Sequence, residues 1–150
     1  MQGYLNKKIN LTELYPIIEN QLKNGGNASF TVHGTSMQPM LTDRKDTVII
    51  VKSAFPLKKY DIIFYRRENG QFVLHRIIKV KKDGYVCRGD HQTVKEYPVT
   101  ENMVIGVLSE FTHKGKQRQV DRLSHRFYSF IYVHTAFLRY YARTILGVFR

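Results

Sequence analysis

From Ala28 onward the chain breaks into six short runs rich in β-branched and aromatic residues, with no helical periodicity between them. The runs are Ser29 to His33, Thr47 to Lys52, Asp61 to Arg66, Gln71 to Val80, Gly84 to Arg88 and Met103 to Phe111. Strands without crossover helices predict an all-β core. Glu68-Asn69-Gly70 and Lys82-Asp83-Gly84 tolerate positive φ, so runs 61–66, 71–80 and 84–88 are expected to form consecutive hairpins. The charged tip Tyr65-Arg66-Arg67-Glu68-Asn69 reads as a solvated face.

The flanks differ in character. Leu11, Leu14, Ile17, Ile18 and Leu22 recur at helical spacing, with Asn10 and Glu13 placed to cap the start, Pro16 early in the helix, and Gly25-Gly26 ending it. At the other end, residues 112–123 read as a basic linker. The last segment, 124–150, reads as one aromatic and basic amphipathic helix. Phe127, Ile131, His134, Phe137, Leu138, Tyr141, Ile145 and Val148 share one side, and Arg139, Arg143 and Arg150 another. The expected organisation is thus a helical segment over 1–27, a β domain over 28–111, the linker, and the C-terminal helix. That helix has two readings: an element lying on an anionic membrane surface, or one docked on the β domain.

A length of 150 residues suits one domain with a core. The 24 Lys and Arg against 12 Asp and Glu leave a formal charge of +12, which favours anionic partners. No RNA- or DNA-binding motif accompanies the charge, so nucleic acid is not the expected partner. The single cysteine, Cys87, reads as a packed strand residue, excludes an internal disulfide and suits a reducing compartment. No window offers the ~20 uncharged residues of a spanning helix. The expected location is therefore cytoplasmic, at most peripheral on a membrane. No metal-ligand spacing and no glycine-rich phosphate loop occur, so no metal or cofactor is expected.

Chemistry concentrates in two stretches. Within FTVHGTSMQPMLTDRKDTVIIV, Phe30 to Val51, Ser36 stands between turn signals at a strand exit, where a scaffold can present a hydroxyl at a fixed angle. Within QFVLHRIIKV, His75 shares a strand face with Val73 and Ile77, whereas Leu74 and Arg76 point the other way. Apolar neighbours disfavour the imidazolium and would hold His75 neutral, ready to accept a proton from Ser36. Met37 and Met40 read as lining for the cleft or as core.

At these residues the chain resembles a known family. Ser36-Met37-Gln38-Pro39, Lys59-Tyr60-Asp61-Ile62-Ile63-Phe64, Val73-Leu74-His75-Arg76-Ile77 and Gly89-Asp90 resemble, in order, four boxes of the signal peptidase I superfamily. The likeness runs from about Phe30 to Leu108. Histidine in the third box is similar to the endoplasmic reticulum, archaeal and sporulation types, and the self-cleaving SOS repressors look like more distant relatives.

The resemblance implies a mostly β fold with a coiled β-barrel, and a serine endopeptidase acting through Ser36 and His75 on an extended peptide. It also implies an acid behind the histidine, for which RGDHQTVKEYP holds two candidates. Asp90 matches the aspartate of the glycine-aspartate box, and its tight turn makes it the first choice. Glu96 falls where histidine-type members place a second acid, here one carbon longer. For the oxyanion, the Ser36 N–H is one expected donor. The family often adds a hydroxyl two residues before the serine, where this chain has Gly34, so either Thr35 or a backbone amide takes that part or the hole is weaker. Relatives normally carry a membrane anchor, and none is readable here. A reading from another class is a non-catalytic β module that binds membrane or nucleic acid through its basic tail.

Overall fold

The computed structural model describes residues 11–121 and 123–148. Among the described residues the protein is mostly β: eight antiparallel strands form one sheet, accompanied by three α-helices. The strands are β1 (Asn27–Thr31), β2 (Thr47–Val51), β3 (Ile62–Arg66), β4 (Phe72–Lys81), β5 (Gly84–Arg88), β6 (Glu96–Val99), β7 (Val104–His113) and β8 (Lys116–Gln119). Their order is β1-β2-β7-β3-β4-β5-β6, with β8 paired to β7. The hairpins β3–β4 and β4–β5 form as the turn residues require, with Ile63 opposite His75 and Arg76 opposite Arg88.

The sheet is open, which corrects the expectation of a closed barrel: β1 and β6 stand at its two ends and do not pair. A four-residue edge strand containing Pro98, which has no N–H to donate, is poorly suited to extend the ladder. β3 lies near the centre, and both its faces are buried. Ile62 and Phe64 pack with Val48, Ile50, Leu108 and Phe111 on one side. On the other, Ile63 and Tyr65 pack with Val73, Ile77, Cys87 and Val99.

α1 (Leu11–Lys23) packs on β1 and contributes Ile18 and Leu22 to the first of these clusters, while Ile17 faces out. Its end is closed by Gly25 and Gly26, whose N–H groups donate to the Leu22 and Gln21 carbonyls at 3.1 and 2.9 Å. Asn10, the expected cap, lies outside the described residues.

The C-terminal third departs from the sequence expectation in two ways. Where a basic linker is expected, β7 continues to His113 and β8 returns along it, so part of 112–123 belongs to the sheet. Where one helix is expected there are two, α2 (Leu123–His134) and α3 (Ala136–Val148). At the break, the Arg139 side chain donates to the Tyr132 carbonyl and to the Thr135 hydroxyl, both at 2.6 Å. A side chain competing for a ladder carbonyl is a recognised cause of helix kinking. α2 docks on the body through Ser129, which is buried, and through Tyr128 beside the first core cluster.

Candidate active site

Ser36 follows β1 in a turn whose geometry is set from two sides. Gly34 adopts φ +100°, a conformation open to glycine, and its N–H donates to Asp43 Oδ1 at 2.7 Å. From the opposite side, the loop after β5 backs the serine: the His91 N–H donates to the Ser36 carbonyl at 2.8 Å. Gly89 presses so close that a Cβ there would stand 2.6 Å from the Ser36 carbonyl oxygen and 3.0 Å from its Cβ. The glycine of the Gly89-Asp90 box is therefore a contact residue of Ser36. Ser36 is half-buried, and Met37 beneath it is in the core.

Ser36 and His75 line one cleft, together with His33, Met37, Arg67 and Gln92. No Ser36–His75 hydrogen bond exists among the described residues; apo geometry at such pairs is commonly loose. His75 is almost fully enclosed, at 2% exposure, and lies on the face of β4 shared with Val73 and Ile77. Its Nδ1 lies 3.2 Å from Glu96 Oε1, and the Tyr65 hydroxyl is 3.3 Å from the same nitrogen. An ionised Glu96 only accepts, so the tautomer that suits this carboxylate carries its proton on Nδ1, beside Tyr65 and Glu96, and keeps its lone pair on Nε2.

Asp90 is engaged elsewhere. Its two carboxylate oxygens take Arg76 Nε at 2.8 Å and Arg76 Nη2 at 2.7 Å, a bidentate pair buried on the opposite face of β4. The remaining Arg76 donors reach Ser129 Oγ at 2.6 Å, the Tyr60 carbonyl at 3.4 Å and Met40 Sδ at 3.3 Å. Of the two acids named from sequence, Glu96 is the one brought to the histidine, and the preference for Asp90 gives way. The reason is the pleat: His75 and Arg76 are consecutive, so an acid beside one is on the wrong face for the other.

Glu96 is also gripped by Arg67, whose Nε donates to Oε2 at 2.9 Å and whose Nη2 pairs with Oε1. Burial pushes the Glu96 carboxyl up, but hydrogen bonds from Arg67 and Tyr65, together with the charges of Arg67 and, once protonated, His75, outweigh it, leaving it below the usual range. Burial lowers His75 to about 4; Glu96 opposes that shift and the Arg67 charge adds to it. The ring is thus neutral at neutral pH, with a carboxylate already in place for the imidazolium. Burial, then Glu96, pushes the Cys87 thiol up to about 12, so this cysteine is a packed, unreactive residue.

For an oxyanion, the Gly34 N–H is already occupied by Asp43 and Thr35 is exposed. The backbone N–H groups of Ser36 and Met37 donate to no protein acceptor among the described residues. They are the available donors at the turn.

Arg67 and Tyr65 correct the reading of the 65–69 tip as a solvated face. Tyr65 is fully buried and Arg67 is part of the carboxylate–histidine cluster. Period two along β3 carries the signal: Ile63, Tyr65 and Arg67 alternate onto the face that meets His75 across the hairpin. Among the described residues no group of His, Cys, Asp and Glu is arranged to hold a metal ion. The chain matches no protein-family model and no curated protein.

Proposed function

We propose that the protein is a serine endopeptidase resembling signal peptidase I, in which Ser36 is the nucleophile, His75 the general base and acid, and Glu96 the orienting carboxylate. The observation that carries this reading is a turn-held serine and a neutral buried imidazole lining one cleft, with a carboxylate beside Nδ1 of that ring.

In the proposed reaction, Ser36 Oγ attacks the peptide carbonyl carbon while His75 Nε2 takes the hydroxyl proton. Glu96 stabilises the imidazolium that results, and the Ser36 and Met37 N–H groups face the oxyanion. Collapse breaks the C–N bond, and His75 returns its proton to the leaving amine. Water then repeats the sequence on the ester, releasing the acid and restoring Ser36. Arg67 acts as a positioning residue: it fixes the Glu96 carboxylate and keeps it ionised. A signal-peptidase-like coiling of the sheet is part of the same proposal, and so is a cytoplasmic location.

The test is incubation of the full chain with a complex peptide mixture, reading new termini by mass spectrometry, alongside labelling by a serine-reactive phosphonate. Native protein cleaves and is labelled; Ser36→Ala does neither and keeps its circular dichroism spectrum. Turnover retained by Ser36→Ala would exclude the mechanism. A native chain that neither cleaves nor labels supports the non-catalytic module instead.

A further inference from the structure

α2 and α3 carry ten of the fifteen large apolar side chains exposed among the described residues. A surface helix ordinarily turns its apolar stripe inward. α3 leaves its stripe outside. Arg139 lies over the Tyr132 ring at 3.5 Å, and Arg143 crosses to His91, 3.0 Å from Nδ1 and 3.3 Å from its carbonyl. Both arginines line one cavity with Gln38 and Pro39, against the body. On the opposite side of the 3.6-residue period, Phe137, Tyr141 and Ile145 are left 69%, 53% and 54% exposed. The exposed face of α2 adds Phe127, Phe130 and Ile131. A patch of this size on the outside of a protein marks an interaction surface.

Charge selects the occupant. Lys58, Lys59 and Arg126 line one cavity beside α2. Besides Arg139 and Arg143, the sequence from Arg122 to Arg150 has three more arginines and no acid. A second copy of this chain would bring two such basic rims together; an anionic lipid surface is attracted to one. No helix of the described residues is long and apolar enough to cross a membrane.

We infer that the α2–α3 pair is an in-plane anchor for an anionic lipid surface. The outward aromatics enter the boundary between head groups and acyl chains, the lysine and arginine rim meets the lipid phosphates, and the two remaining arginines are spent inside the protein, Arg139 on α2 and Arg143 on His91 of the body. The anchor is linked to the Ser36 turn through His91, which meets Arg143 with its side chain and holds the Ser36 carbonyl through its N–H.

The experiment is flotation of the full chain with vesicles of phosphatidylglycerol and phosphatidylcholine in equal parts, and with phosphatidylcholine alone, at rising salt. Ser36→Ala is run beside the native chain, so binding is read apart from any catalysis. Association with the anionic vesicles that weakens with salt is expected. Phe137→Ser with Tyr141→Ser, both at exposed positions, lowers partitioning about tenfold or more with unchanged circular dichroism. Native protein that fails to float with either vesicle overturns the proposal. So does a double variant that binds like the native chain. A concentration-dependent dimer, dissolved by the same substitutions without vesicle binding, reassigns the face to a second copy.

Discussion

His75 and Arg76 are neighbours in sequence that the pleat of β4 sends to opposite faces, each to its own carboxylate. The two acids therefore differ in what their removal does. Asp90→Asn strands a fully buried guanidinium, and breaking a buried pair costs about 3 to 5 kcal/mol. That loss is expected as a large fall in the urea midpoint. Glu96→Gln removes the partner of the imidazolium and leaves Arg67 one-third exposed and able to be solvated, so its stability loss is smaller. Its rate is expected to fall about 10² to 10⁴-fold, as for a triad acid made neutral. Full rate in Glu96→Gln, with Asp90→Asn slow but equally stable, would reverse the assignment.

At the scale of elements, the serine turn and the loop after β5 are one unit, joined by the His91 to Ser36 hydrogen bond and by the close approach of Gly89. Gly89→Ala pushes on both the Ser36 carbonyl and its Cβ, and a displacement near 1 Å can cost about 10²-fold in rate. The expected outcome is slow turnover with a stability loss of about 1 to 3 kcal/mol. Gly147→Ala in α3, with nothing near the added methyl, serves as the control. A Gly89→Ala variant as fast as that control would show that the turn adjusts freely. β6 is the element hardest to foresee. Its four residues include Pro98, and only pairing with β5 makes a strand of them, which in turn delivers Glu96.

Across the whole molecule, several buried titratable groups shift in one direction. Burial lowers both His75 and His125 to about 4, from an ordinary value near 6.5. Asp46 is also held below the usual carboxylate range: burial raises it, and hydrogen bonds from His113 and Thr42 outweigh that. For each, the unfolded chain binds more protons than the folded one across the interval between the two pKa values, so stability rises with pH there. The histidines make the fold lose stability as pH falls from about 6.5 to about 4, by roughly 3 kcal/mol each at most. The carboxylates extend the loss further down. Urea midpoints are expected to drop between pH 7 and pH 4.5, and less steeply in His125→Phe. A midpoint independent of pH in that window would contradict the burial of both rings as neutral groups.

Local pattern alone carried the β-rich core, the N-terminal helix, the two central hairpins and the placing of His75 within a strand, because alternation and turn chemistry are written within a few neighbouring residues. It also carried the burial of His75, through its apolar neighbours on the same strand face. Which acid stands behind that ring depended on pairing between β5 and β6, a contact that no local window contains. The grip of Arg67 on Glu96 and the press of Gly89 on Ser36 likewise arise only when distant strands meet. The open sheet followed from a strand that ends the ladder. The outward apolar face of the C-terminal helix followed from Arg139 finding partners on α2 and Arg143 finding His91 on the body, where amphipathic spacing by itself says only that two faces exist and not which one turns inward.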